Sequence, residues 1–183
     1  MDSNKKITII IFSMVTLLTI VIVALVAIGS RESGYNGAIK RAYLAADIVK
    51  ETLTSHMING TMDKRETFLT SISQIKEIKD LWIIRGDTVS QQFGKSANRN
   101  EKPRDAIDEK VLKTGKVITL PSESLKSATL RITIPYTASS LDKPNCLSCH
   151  NAKEGEVLGA ISLKFDIQDD RISSIAVLLN IMG

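Results

Sequence analysis

Cys146, Cys149 and His150 are the residues in this chain whose types and spacing most directly imply chemistry. They form Cys146-Leu147-Ser148-Cys149-His150, which holds both cysteines and one of the two histidines of the sequence. Two thiols separated by two residues can each bond one vinyl group of the same porphyrin, and the adjacent imidazole is then carried under the ring to ligate its iron. Cys-x-x-Cys-His is the arrangement that attaches a c-type haem, and two cysteines suffice for one haem. Competing readings are weaker. A thioredoxin-like pair needs its cysteines opening a helix after a strand, whereas Leu141–Asn145 reads as a proline-bearing loop. A Cys146–Cys149 disulfide closes too short a loop to stabilise much. Zinc held by Cys146, Cys149, His150 and His56 would need three ligands within five residues to surround one tetrahedral ion.

A haem iron has a second axial position. Met57 is the first choice for it, because it continues the helical stripe Ala46, Val49, Leu53 and a thioether there gives His/Met ligation. His56 is the alternative and gives bis-histidine ligation; Met62 lies close by. A methionine on an apolar stripe is also ordinary core material. Arg85, Arg131 and Lys143 are candidate partners for the haem propionates. Gly159 falls inside a strand, where a missing side chain admits the haem face or marks a bulge.

The elements that must position these residues begin with a membrane anchor. Ile7 to Ile28 is uncharged and long enough to cross a bilayer as a helix, and longer than a signal-peptide core. Lys5 and Lys6 precede it, so the positive-inside rule leaves residues 1–6 in the cytoplasm and exports the chain beyond the anchor. Arg31, Lys40 and Arg41 count against that orientation, and the haem motif counts for it, since bacterial c-type attachment takes place outside the inner membrane. Residues 31–171 make one domain of ordinary size. From Ile172 to Met182 the chain turns apolar again, as at the start of a second membrane helix.

Within the domain, Tyr35–Ile58 reads as a long amphipathic helix ended by Asn59-Gly60. A second helix is expected over Asp63–Ile75 with Asp63 as its cap. Asp80–Arg85 and Thr88–Phe93 read as a hairpin about Gly86-Asp87. Lys95–Arg104 is a loop and Asp105–Thr114 a short helix closed by Gly115. Strands come next over Lys116–Leu120, Ala128–Tyr136 and Glu156–Asp166. Helices first and strands after predict an α+β fold with an antiparallel sheet. A net charge of +4 and 4% aromatic residues, without basic-aromatic interleaving, argue against a nucleic-acid partner. No Ser/His/Asp set, paired carboxylates or phosphate loop stands out, so an enzyme is not expected.

From about Ala42 to Asp169 the chain resembles the haem-c-containing PAS-like (Cache-related) extracytoplasmic sensor domains of bacterial methyl-accepting chemotaxis receptors and related signalling proteins. The resemblance rests on Met57-Ile58-Asn59-Gly60, Gln92-Phe93-Gly94, Val111 to Lys116, Leu130-Arg131 before Pro135, and Cys146 to His150 followed by Asn151, Gly155, Val157 to Ala160 and Ser162. It implies a PAS/Cache-like antiparallel sheet flanked by helices, a pocket around one haem with Met57 as ligand, and homodimerisation through the N-terminal helix. It also implies signalling of redox state or of a small diatomic ligand, at the bacterial inner membrane with the domain in the periplasm. The sequence reads as truncated at Gly183, with an output module expected beyond it. The alternative is a membrane-anchored monohaem cytochrome that passes electrons to a redox partner.

Overall fold

The computed structural model describes residues 3–94, 101–124, 127–142 and 144–168. The described residues fall into two units, one holding 3–37 and the other 38–167. Helix α1, Ser3–Ile58, contributes to both. Its N-terminal part holds a window of mean hydropathy 3.1 with none of it buried, long and apolar enough to cross a bilayer.

In the second unit α1 turns a stripe of Ala38, Ala42, Ala46, Val49 and Leu53 out of solvent. The steps of three and four residues keep that stripe on one face, and its small residues allow close approach of what covers it. After a 3-10 turn at Met62–Lys64 come α2 (Arg65–Ser73), β1 (Ile78–Arg85), α3 (Asp87–Phe93), α4 (Ala106–Thr114), β2 (Ile118–Glu123), β3 (Ala128–Thr137) and β4 (Val157–Asp166). The strands form one antiparallel sheet in the order β1-β4-β3-β2. The α+β class expected from the sequence is what the fold has.

Period-two alternation gives the sheet two distinct faces. One carries Trp82, Ile84 and Ala160, which pack with Val111 and Leu112 of α4 and with Ile118. α4 itself is built as the sequence predicts: Asp105 caps it by accepting from the amides of Ile107 and Asp108, and Gly115 closes it in the left-handed region at φ 63°. On the same face a polar knot is satisfied within the core. Fully buried Asp108 accepts from Trp82 Nε1 at 2.9 Å and from Arg131, while Arg131 also pairs with Asp105 and donates to Ser162 Oγ at 3.2 Å. The guanidiniums of Arg104 and Arg131 lie over the Trp82 ring at 4.4 and 4.7 Å.

Three details differ from expectation. Thr88–Phe93 is helical, not a strand, so β1 has no hairpin partner after it and pairs with β4 instead. The reason is a period of four: Val89 and Phe93 share one side and Thr88 and Gln92 another, and Ser90 bonds back to the Gly86 carbonyl. Asp63 lies inside the 3-10 turn, and Lys64, without a side-chain bond, stands at the N-cap of α2. The strand expected over Ala128–Tyr136 runs one residue further, to Thr137, with Pro135 within it opposite Ala160. Of the loop expected over Lys95–Arg104, residues 95–100 lie outside the described residues, as does the apolar segment Ile172 to Met182.

Candidate cofactor site

The loop between β3 and β4 carries the Cys-x-x-Cys-His sequence, and its base is closed by hydrogen bonds. Ala138 N–H donates to Glu156 O and Gly155 N–H to Ala138 O, both at 2.8 Å, and Cys146 N–H reaches back to Ser139 O at 3.0 Å. Cys146–Ser148 forms a 3-10 turn whose N-cap is Asn145, its side-chain oxygen accepting from Leu147 N–H at 2.8 Å. That turn then passes both Cys149 N–H and His150 N–H to the Cys146 carbonyl. The two thiols are free; Cys149 is exposed and Cys146 half-buried, with Asp142 Oδ2 at 3.9 Å from its sulfur.

These residues open onto a cavity of about 420 Å³ on the face of the sheet opposite Trp82. Cys146, Cys149, His150, Met57, Met62, Phe93 and Tyr136 line it, with Arg65 and Arg85 at the same surface. An inner recess of about 110 Å³ continues from it past Leu53 and Gly159 to the sheet, sharing Met57, Met62, Arg65, Arg85 and His150 with the outer space. Each wall has an identifiable source. The last turn of α1 supplies Thr54, Met57 and Ile58; Thr54 Oγ1 and Tyr136 Oη lie 2.6 Å apart and join that turn to β3. Arg85 ends β1, and α3 supplies Val89 and Phe93 one turn apart.

His150 is the most telling side chain. Its Nδ1 is buried without a hydrogen-bond partner among the described residues. Burial pushes its pKa below the ordinary histidine value, which favours the neutral imidazole, the form with a lone pair for coordination. The Phe93 ring meets it edge-on, with centroids 5.4 Å apart and planes at 79°. Met57 is 37% exposed, unlike the stripe behind it, so its thioether stands at the cavity wall and not in the core. His56, by contrast, places Nδ1 2.9 Å from Thr61 Oγ1, closing the end of α1, and lines neither cavity.

The basic residues divide. Arg85 lies at the cavity, its Nε 3.1 Å from Glu101 Oε2 and one terminal nitrogen donating to Gly94 O at 3.1 Å. Arg131 does not reach the cavity: it is on the other face of the sheet, committed to Asp105, Asp108 and Ser162. Its place in β3 decides this, since it is five residues from the cavity-lining Tyr136 and alternation sends the two to opposite faces. Lys143 lies outside the described residues. Arg65, which sequence reasoning missed, lines both cavities and pairs with Glu101, so a single buried carboxylate contacts two arginines. Gly159 borders the recess, but what demands glycine there is the neighbouring strand: a Cβ would stand 2.5 Å from the Ile84 carbonyl oxygen.

The donor set fits a haem. Soft thiols, a neutral imidazole and two thioethers surround an apolar space, and guanidiniums stand at its edge for carboxylates. Among the described residues no three His, Cys, Asp or Glu side chains converge on a bare metal ion. No family model and no curated protein matches the chain.

Proposed function

We propose that this chain is a membrane-anchored, periplasmic sensor domain with one c-type haem, which reads redox state or a small diatomic ligand and signals across the inner membrane as the input part of a chemotaxis receptor or related transducer. The observation that carries the reading is the convergence of Cys146, Cys149, His150 and Met57 on one apolar cavity. Cys146 and Cys149 would hold the group covalently, His150 would be the proximal ligand and Met57 the distal one, with Met62 as the second thioether within the same walls. A haem held there would supply a redox-active iron.

The chain's own residues make the link to signalling. Met57 stands in the last turn of α1, the helix whose N-terminal part is apolar enough to span a bilayer. Two further ties join that helix to the cofactor loop and its flanking strand: Thr54 to Tyr136, and Lys50 to Asp142 at 3.5 Å, four residues before Cys146. A change in what the Met57 thioether bonds to would alter how the end of α1 is held, and such a bias would suit transmembrane signalling. An electron carrier needs no such coupling.

Hydrogen exchange on the haem-loaded full chain in detergent, oxidised, reduced and reduced under carbon monoxide, distinguishes the two. The sensor reading expects the exchange of residues 49–58 to differ between states. Equal exchange in all three states, together with fast electron exchange with a redox dye, would favour the cytochrome.

A further inference from the structure

α3 touches the cofactor loop with two side chains one turn apart. Thr88 Oγ1 bonds Glu156 at the base of the loop, and Gln92 bonds it at the tip. The Gln92 amide uses both of its ends. Nε2 donates to Cys149 O at 2.9 Å, and Oε1 accepts from Asn151 N–H at 2.8 Å, so one side chain grips the backbone on each side of His150. The next residue, Phe93, is the one whose ring edge meets the imidazole.

Gln92 is solvent-exposed, and the partners lie 57 and 59 residues away in the chain. Holding an exposed glutamine in one rotamer sacrifices side-chain entropy, which a well-formed pair of bonds offsets. A grip on the carbonyl before His150 and the amide after it fixes the backbone torsions from which the imidazole projects. We infer that α3 is a brace for the loop and that Gln92 is a positioning residue for His150, setting the orientation in which the imidazole is presented to the cofactor. The amide is needed as such: glutamate keeps the acceptor for Asn151 N–H but turns an oxygen toward the Cys149 carbonyl, and leucine fills the same space with neither bond.

The redox part of this inference rests on the haem reading, whereas the structural part does not, and two readouts separate them. In haem-free protein, Gln92→Leu is expected to speed Asn151 amide exchange by about fivefold, the loss of one ordinary hydrogen bond, while Gln92→Glu leaves it protected. In haem-loaded protein both variants are expected to keep covalent haem and a wild-type melting temperature, yet to shift the reduction potential and the ligand-sensitive visible bands. Unchanged Asn151 exchange in Gln92→Leu would remove the grip. A wild-type potential and spectrum in both variants would overturn the positioning role even if exchange accelerates. A wild-type chain that takes up no haem defeats the proposed function and leaves the exchange result to decide on Gln92.

Discussion

At the scale of single residues, the proposed site has groups that would bond a cofactor and groups that would aim them. Met57 and Met62 are both thioethers on the cavity wall, and their alanine variants distinguish them. Met57→Ala is expected to abolish a sulfur-to-iron charge-transfer band in the oxidised protein and to lower the reduction potential, while Met62→Ala leaves both in place; the reverse pattern would assign the ligand to Met62. His56→Ala is expected to leave the spectrum unchanged, because His56 is engaged with Thr61. What was legible in the sequence at this scale is what local spacing encodes: the Cys146–His150 motif, and Met57 on the stripe of α1. Arg65, Glu101 and the pair of hydrogen bonds made by Gln92 were not legible, since each acts across tens of residues of chain. Gln92 was marked locally as part of Gln92-Phe93-Gly94, but its bracing role shows only in its place four residues after Thr88, once the segment is known to be helical.

At the scale of elements, α4 and its polar knot hold the face of the sheet away from the cavity. Asp108 is fully buried and takes bonds from Trp82, Arg131 and the Arg104 amide. Asp108→Ala leaves Arg131 and the indole without their shared acceptor and is expected to cost about 3–5 kcal/mol, read by urea denaturation. Asp105 adds a pH dependence. The Arg131 guanidinium holds its carboxyl below the usual value against a smaller opposing effect of burial, helped by the Asp108 and Ile107 amides. A lowered folded pKa means that the unfolded chain binds the proton first, so the stabilisation is present above the unfolded value of about 3.9 and is lost as pH falls through the lower folded one. Melting temperature should therefore drop below about pH 4 in the wild type, and Asp105→Asn should start lower at pH 7 and fall less steeply. A parallel acid limb in the two proteins would show that Asp105 is not responsible. The strands and α4 could be read from alternation, capping and glycine. α3 could not, because Gly86-Asp87 after a strand equally signals a hairpin turn, and only the side chains at steps of four that meet the loop and cavity settle the matter as helix.

At the scale of the whole molecule, an antiparallel four-stranded sheet separates two tasks. One face carries the core with α4, and the other borders a cavity closed by α1, α3 and the β3–β4 loop. The α+β class was legible because each strand announces itself locally; the strand order β1-β4-β3-β2 was not, because it depends on pairing across the chain. The apolar start of α1 is long enough for an anchor, and the cysteine spacing implies the cofactor proposed for the cavity. Everything proposed about signalling depends on that cofactor being covalently present. The most direct measurement is expression of the full chain together with a cytochrome c maturation system, followed by denaturing electrophoresis stained for haem peroxidase activity. A covalent haem predicts a stained band at the chain's own mass, weakened in Cys146→Ala or Cys149→Ala and absent when both are replaced. An unstained wild-type band, or stain unaffected by replacing both cysteines, would contradict it.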